Sequence, residues 1–159
     1  MNNKKGISAI VATVLIILIT VAAITIIWAA IIPMISNQLE SGTVCLDAVS
    51  QVQLLDAGYT CKTVNATATG FNMTLQVKHG AKDFELAGLQ VLISEGGSTT
   101  PYELTGNLPG SNEEKVLSVA DYANTTVEGP DKIQIAPIVV VGNTQESCDI
   151  SATKTLTIC

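Results

Sequence analysis

Two hydropathy patterns divide the chain. Residues 7–35 are overwhelmingly apolar and include no charged side chain, and beyond residue 43 several short runs alternate apolar and polar residues with period two. The first pattern predicts a helix. Apolar residues fall on every face with no polar stripe, and such a helix is buried all round, in lipid or in a bundle. Ile dominates the run, with Val11, Val14 and Val21 adding β-branching, which makes a mediocre helix in water. In lipid the backbone must satisfy its own hydrogen bonds, and for a single segment helix is the only solution. At ~1.5 Å per residue the run reaches roughly 43 Å, whereas a bilayer core needs only ~20 residues. Ser8/Ala12 and Ala9/Thr13 have the small-xxx-small spacing that lets helices approach, although Ala is also simply common in membrane helices. Pro33 predicts a bend or an end. Ser36, Asn37, Gln38 and Glu40 mark emergence into water, and Ser41-Gly42 is the expected hinge.

The second pattern predicts strands. Phe71, Met73, Leu75 and Val77 alternate with polar residues, so they share one face. Phe84 and Leu86, then Leu89, Val91 and Ile93, predict another strand with a bulge at Gly88. Residues 116–122, 132–135 and 138–141 follow, with Pro137 expected at a bulge or an edge. Leu156 and Ile158 alternate with Thr155 and Thr157 in a C-terminal strand. Turn signals separate these runs at Gly96-Gly97, Pro109-Gly110, Gly129-Pro130 and Gly142-Asn143. No useful helical periodicity is evident after Glu40. The expected fold is α+β in outline: a long apolar N-terminal helix, then an all-β sandwich, Ig-like, of about seven strands.

Charge and cysteine change the picture further. The chain has 8 Lys and no Arg against 14 acidic residues, and every acid lies at Glu40 or later. An acidic domain without Arg is a poor partner for nucleic acid, which needs clustered cations. Cys45, Cys61, Cys148 and Cys159 include no C-x-x-C pair and His79 is the only histidine, so two disulfides in an oxidising compartment fit better than zinc. Four cysteines allow three connectivities; nearest neighbours in sequence favour Cys45–Cys61 and Cys148–Cys159.

At Lys4-Lys5-Gly6-Ile7-Ser8-Ala9-Ile10 the sequence resembles the class III signal peptide of archaeal type IV pilins, a short basic leader ending in Gly or Ala directly before the apolar helix. The resemblance implies that a prepilin peptidase cuts between Gly6 and Ile7 on the cytoplasmic side. The helix then stays on the mature protein as an assembly element. An ordinary secretory signal fits less well, because the apolar run exceeds a typical h-region of ~7–15 residues and no A-x-A site follows. Bacterial type IV pilins usually carry Glu as the fifth mature residue. Val11 stands there, which fits the archaeal kind. The implied organisation is a leader at 1–6, a hydrophobic helix and hinge at 7–42, and an extracellular β-sandwich domain at 43–159.

Asn65, Asn72 and Asn124 each open an N-x-[ST] sequon, and in a secreted protein these are glycan acceptors if exposed. No catalytic constellation, metal spacing or cofactor motif is evident. His79, beside Gly80, reads as an exposed turn residue, and Glu113-Glu114 as a solvated acidic loop. Asp83 and Glu85 would share a strand face but fall short of the ~6–8 oxygens calcium takes. The expected function is therefore a filament subunit. Its partners would be copies of itself, the prepilin peptidase, the assembly machinery and, before assembly, the membrane. Alternatives are a single-pass anchored binding module and an archaellin.

Overall fold

A computed structural model of the chain describes residues 4–55, 58–64, 70–123 and 129–159. The chain divides into two units, Met1–Glu40 and Ser41–Cys159. One helix, α1 (Lys4–Gln51), supplies the first unit and opens the second, with Pro33 in its interior. Neither Pro33 nor Ser41-Gly42 ends it, so the expected hinge is helical and the expected boundary at 43 falls inside the helix. The reason lies in Val44, Cys45, Ala48 and Val49, whose spacing places them on one helical face, a short period that the reading beyond Glu40 passed over. Ala48 is completely buried, and Val44, Cys45 and Val49 pack beside it. That burial outweighs the ~1 kcal/mol that Gly42 costs a helix.

Within the second unit nine strands follow among the described residues: β1 (Val52–Leu54), β2 (Cys61–Val64), β3 (Phe71–His79), β4 (Leu86–Glu95), β5 (Ser98–Leu104), β6 (Glu114–Tyr122), β7 (Lys132–Val141), β8 (Thr144–Ser147) and β9 (Ala152–Thr155). All named pairs are antiparallel. In one sheet β3 is central, flanked by β6 on one edge and by β1 and β2 in succession on the other. In the second, the order is β5-β4-β7, with β8 and β9 sharing the far edge of β7. Inward residues of both sheets, among them Met73, Leu75, Val77, Leu89, Val91, Ile93, Leu117, Val119, Ile133 and Ile135, form one buried cluster. This is a sandwich whose core was legible in the alternation of β3 and β4. A second cluster gathers Ala48 with Val139 and Cys148, and Phe84 and Leu86 touch both clusters. The last turns of α1 therefore close one end of the core.

The bulge expected at Gly88 is present, as a register shift between Leu86 and Gly88 against β7. Phe84 lies before the strand rather than in it. Gly96-Gly97 and Gly142-Asn143 make two-residue hairpins, with Gly96, Gly97 and Gly142 at positive φ, as primed turns require. The expectation for Pro137 is overturned. β7 runs through it without a break and is a central strand, with Leu89 opposite Pro137. Its carbonyl accepts from the Cys148 amide at 2.9 Å, so its missing N–H faces the same edge, in the gap where β8 has ended and β9 has not begun. No ladder bond is lost there.

The C-terminus also departs from expectation. β9 ends at Thr155; Leu156 is buried but Ile158 is 72% exposed. The chain leaves β7 and joins the edge of β2, where the Lys62 amide donates to the Thr157 carbonyl (2.9 Å) and the Cys159 amide to the Lys62 carbonyl (3.1 Å). This crossing brings Cys159 to Cys61. The disulfides are Cys45–Cys148 and Cys61–Cys159, with Cα–Cα separations of 5.3 and 5.1 Å. The pairing favoured from sequence, Cys45–Cys61 and Cys148–Cys159, is corrected. Proximity along the chain does not survive a fold in which Cys45 sits on the helix against Cys148 and the terminus moves to the other sheet.

Candidate functional site

The most extensive unpartnered feature among the described residues is the surface of α1 in the first unit. Ile10, Leu18, Ile26, Trp28, Met34 and Leu39 are each more than half exposed, as are most of their neighbours. The helix is long and apolar enough to cross a membrane. Its three threonines within residues 9–35 turn back on their own backbone: Thr13, Thr20 and Thr25 donate to the carbonyls of Ile10, Ile17 and Ala22 at 2.8, 2.9 and 2.9 Å. They need no external acceptor, so they suit an apolar environment. A surface of this kind is stable only when something apolar covers it.

Lys4, Lys5, Gly6 and Ile7, singled out as a processing site, lie at the start of α1. Asn72 lies in β3, half-buried, on the face opposite Phe71 and Met73. Its backbone carbonyl accepts from the Thr63 hydroxyl at 3.4 Å. Asn65 and Asn124 lie outside the described residues. All four cysteines are paired, which suggests an extracellular protein.

The β unit holds a pocket of about 380 Å³ lined by His79, Asp83, Phe84, Glu85, Leu86, Leu108, Pro109, Gly110 and Ser111. His79 is here, and it is not an exposed turn residue: it ends β3 and is 1% exposed. Its Nδ1 donates to the Pro109 carbonyl at 3.2 Å, and its ring lies 4.3 Å from that of Phe84. Its Nε2 is buried without a partner. Asp83 and Glu85 precede β4 rather than sharing a strand face. Among the described residues no three His, Cys, Asp or Glu side chains gather as they would to hold a metal ion.

Glu113 and Glu114 have separate roles. Glu114 opens β6 and pairs with Lys78 at 3.6 Å. Glu113 folds the Pro109-Gly110 turn: its carboxylate accepts from the Gly110 amide at 2.7 Å, its own amide donates to the Gly110 carbonyl at 3.0 Å, and Lys115 lies 3.3 Å away. The Gly110 amide, with Lys115 beside it, holds the Glu113 carboxyl below the usual carboxylate range.

Trp28 is the residue that reading by pattern passed over. It is the only aromatic residue in α1, is 62% exposed, and with Ile27, Ile31 and Ile32 lines a shallow apolar groove. Its signal in the sequence is its distance from Ile7. No protein-family model and no characterised protein matches the chain.

Proposed function

We propose that this chain is the structural subunit of an archaeal type IV pilus-like surface filament, serving adhesion. The observation that carries this reading is the exposed apolar helix placed directly after Lys4-Lys5-Gly6. The subunit first waits in the cytoplasmic membrane, held by the helix, with Lys4 and Lys5 on the cytoplasmic side. Cleavage between Gly6 and Ile7 removes both lysines and keeps the helix. An assembly platform then transfers subunits from lipid into a growing bundle. Apolar burial is conserved in that transfer, because neighbouring helices replace acyl chains. The net gain comes from packing, aided by close approach at Ala9, Ala12, Ala22 and Ala23. One heterologous contact, repeated without closure, generates a helical filament. The β units form its outer sheath, held by two disulfides and carrying sugars on exposed sequons.

The test is mass-spectrometric mapping of the N-terminal peptide in filaments sheared from cells. The expected result is a chain in the filament fraction beginning at Ile7. A chain that stays with the membranes and begins at Met1 overturns the reading and leaves a single-pass anchored binding module in its place. Swimming cells that lose motility when the chain is deleted would instead assign the filament to the archaellin kind.

A further inference from the structure

We propose that the cavity around His79 is a binding site for an alkylammonium group, a cationic head on a short hydrocarbon stem. The proposal concerns the β unit alone and does not depend on the filament reading.

Two loops build the cavity, one between β3 and β4 and the other between β5 and β6, and hydrogen bonds join them. The His79 amide donates to the Glu113 carbonyl at 2.9 Å, and the Asn112 amide to the Gly80 carbonyl at 2.9 Å. The Ser111 hydroxyl donates to the Ala81 carbonyl at 3.3 Å. The Val140 amide donates to the Glu85 carbonyl at 3.0 Å and ties the first loop to β7. Loops already joined in this way lose little further order on binding. The volume of about 380 Å³ falls within the roughly 300–1,000 Å³ of small-molecule sites.

The chemistry of the walls selects the ligand. Asp83 and Glu85 both line the cavity and both are exposed. Neither carboxylate takes part in an ion pair or a side-chain hydrogen bond among the described residues. His79 adds the second, independent feature. It is 1% exposed, its Nδ1 is turned to the Pro109 carbonyl, and its Nε2 is buried without a partner. A buried polar atom left unpaired is costly and calls for an explanation. In a neutral ring whose Nδ1 donates, Nε2 accepts, so all three side chains ask for a donor. Among the described residues no lysine lines the cavity to supply one. Lys82, next to Asp83, pairs with Asp47 at 2.6 Å, and Lys115 pairs with Glu113 at 3.3 Å. Phe84, Leu86 and Leu108 make the rest of the wall apolar. Acceptors and negative charge beside an aromatic ring and aliphatic carbon complement N–H donors, positive charge and a hydrocarbon stem. An anion would meet two carboxylates. A metal ion finds no three ligating side chains together among the described residues. Nε2 lies beneath the cavity wall, so the ammonium head meets the carboxylates first and the ring second.

The experiment uses the full chain, labelled with nitrogen-15, in neutral maltoside micelles near neutral pH. The probe is n-butylamine, which is charged there as a lysine side chain is, and n-butanol is the uncharged control. The expected result is saturable movement of the Phe84, Gly110 and Ser111 amide resonances, with a dissociation constant on the order of 1 mM for so small a ligand. Asp83→Asn combined with Glu85→Gln should weaken binding roughly tenfold, with the amide spectrum of the rest of the β unit unchanged. His79 is the only histidine, so its ring nitrogens are assigned without mutation, and the Nε2 resonance should move as the site fills. Butanol binding as tightly as butylamine overturns the proposal, and so does unchanged affinity in the double variant. An Nε2 resonance that stays fixed, or that reports a doubly protonated ring, overturns His79 as a contact. Titration with a lysine blocked at both backbone ends separates the two sources of the head. Binding as tight as that of butylamine assigns a protein lysine, and loss of binding assigns a free amine.

Discussion

Gly129 adopts φ 66°, and a Cβ built on it would fall on the Phe71 ring. An L side chain in that backbone region costs ~1–2 kcal/mol, and displacing a packed ring costs a further ~1–3 kcal/mol. Gly129→Ala is therefore expected to lower the unfolding midpoint clearly, whereas Gly58→Ala, with open space around it, should show the backbone cost alone. Equal midpoints for the two variants would remove Phe71 from the explanation. Glu113 sets a pH dependence. Its carboxyl is held below the usual range by the Gly110 amide, so its contribution to the turn is present above the ordinary carboxylate pKa and is lost as pH falls through the depressed value. The Gly110 amide resonance should titrate with a midpoint below that of a free glutamate and should not titrate in Glu113→Gln. A midpoint at the free value would mean that the bond is absent in solution.

The elements owe their stability to different sources. β3 contributes Met73, Leu75 and Val77, all completely buried, and Leu75→Ala is expected to cost ~2–5 kcal/mol in denaturant titration. The disulfides act mainly on the unfolded chain. They join residues 103 and 98 positions apart, and cross-links closing loops of that length restrict the unfolded ensemble by roughly 4–5 kcal/mol each in the chain-entropy picture. Their loops overlap, so the two contributions are not additive. Removing Cys45–Cys148 with paired Ser substitutions should cost several kcal/mol and loosen the end of α1 against Val139, seen as faster amide exchange at residues 44–49. Peptide mapping without reduction should recover Cys45 joined to Cys148 and Cys61 joined to Cys159. Recovery of Cys45 joined to Cys61 would contradict the crossing of the C-terminus to β2.

At the scale of the whole molecule the two units place opposite demands on their surroundings. The β unit buries its own apolar residues between two sheets and carries all the acidic residues but Glu40. The first unit leaves its apolar residues uncovered. The full chain is therefore expected to remain with membranes after alkaline carbonate extraction and to aggregate when detergent is withdrawn. A chain recovered monomeric in plain buffer would show that α1 finds cover by some other route.

Hydropathy pattern alone determined the division into an apolar helix and an alternating β region, the inward faces of β3 and β4, the bulge at Gly88 and the two glycine hairpins. Each depends on neighbours within a few residues, where periodicity and turn chemistry act directly. Cysteine count likewise pointed to two disulfides. What only tertiary structure decided depends on distant residues. The helix continues to Gln51 because Ala48 finds Val139. Pro137 sits in a central strand because β8 and β9 leave a gap beside it. His79 is buried because the loop carrying Pro109 folds over it. Cys61 meets Cys159 because the last residues change sheets. Burial and long-range pairing set each of these outcomes, and local spacing alone did not decide them, even where, as at residues 44–49, it is compatible with a helix.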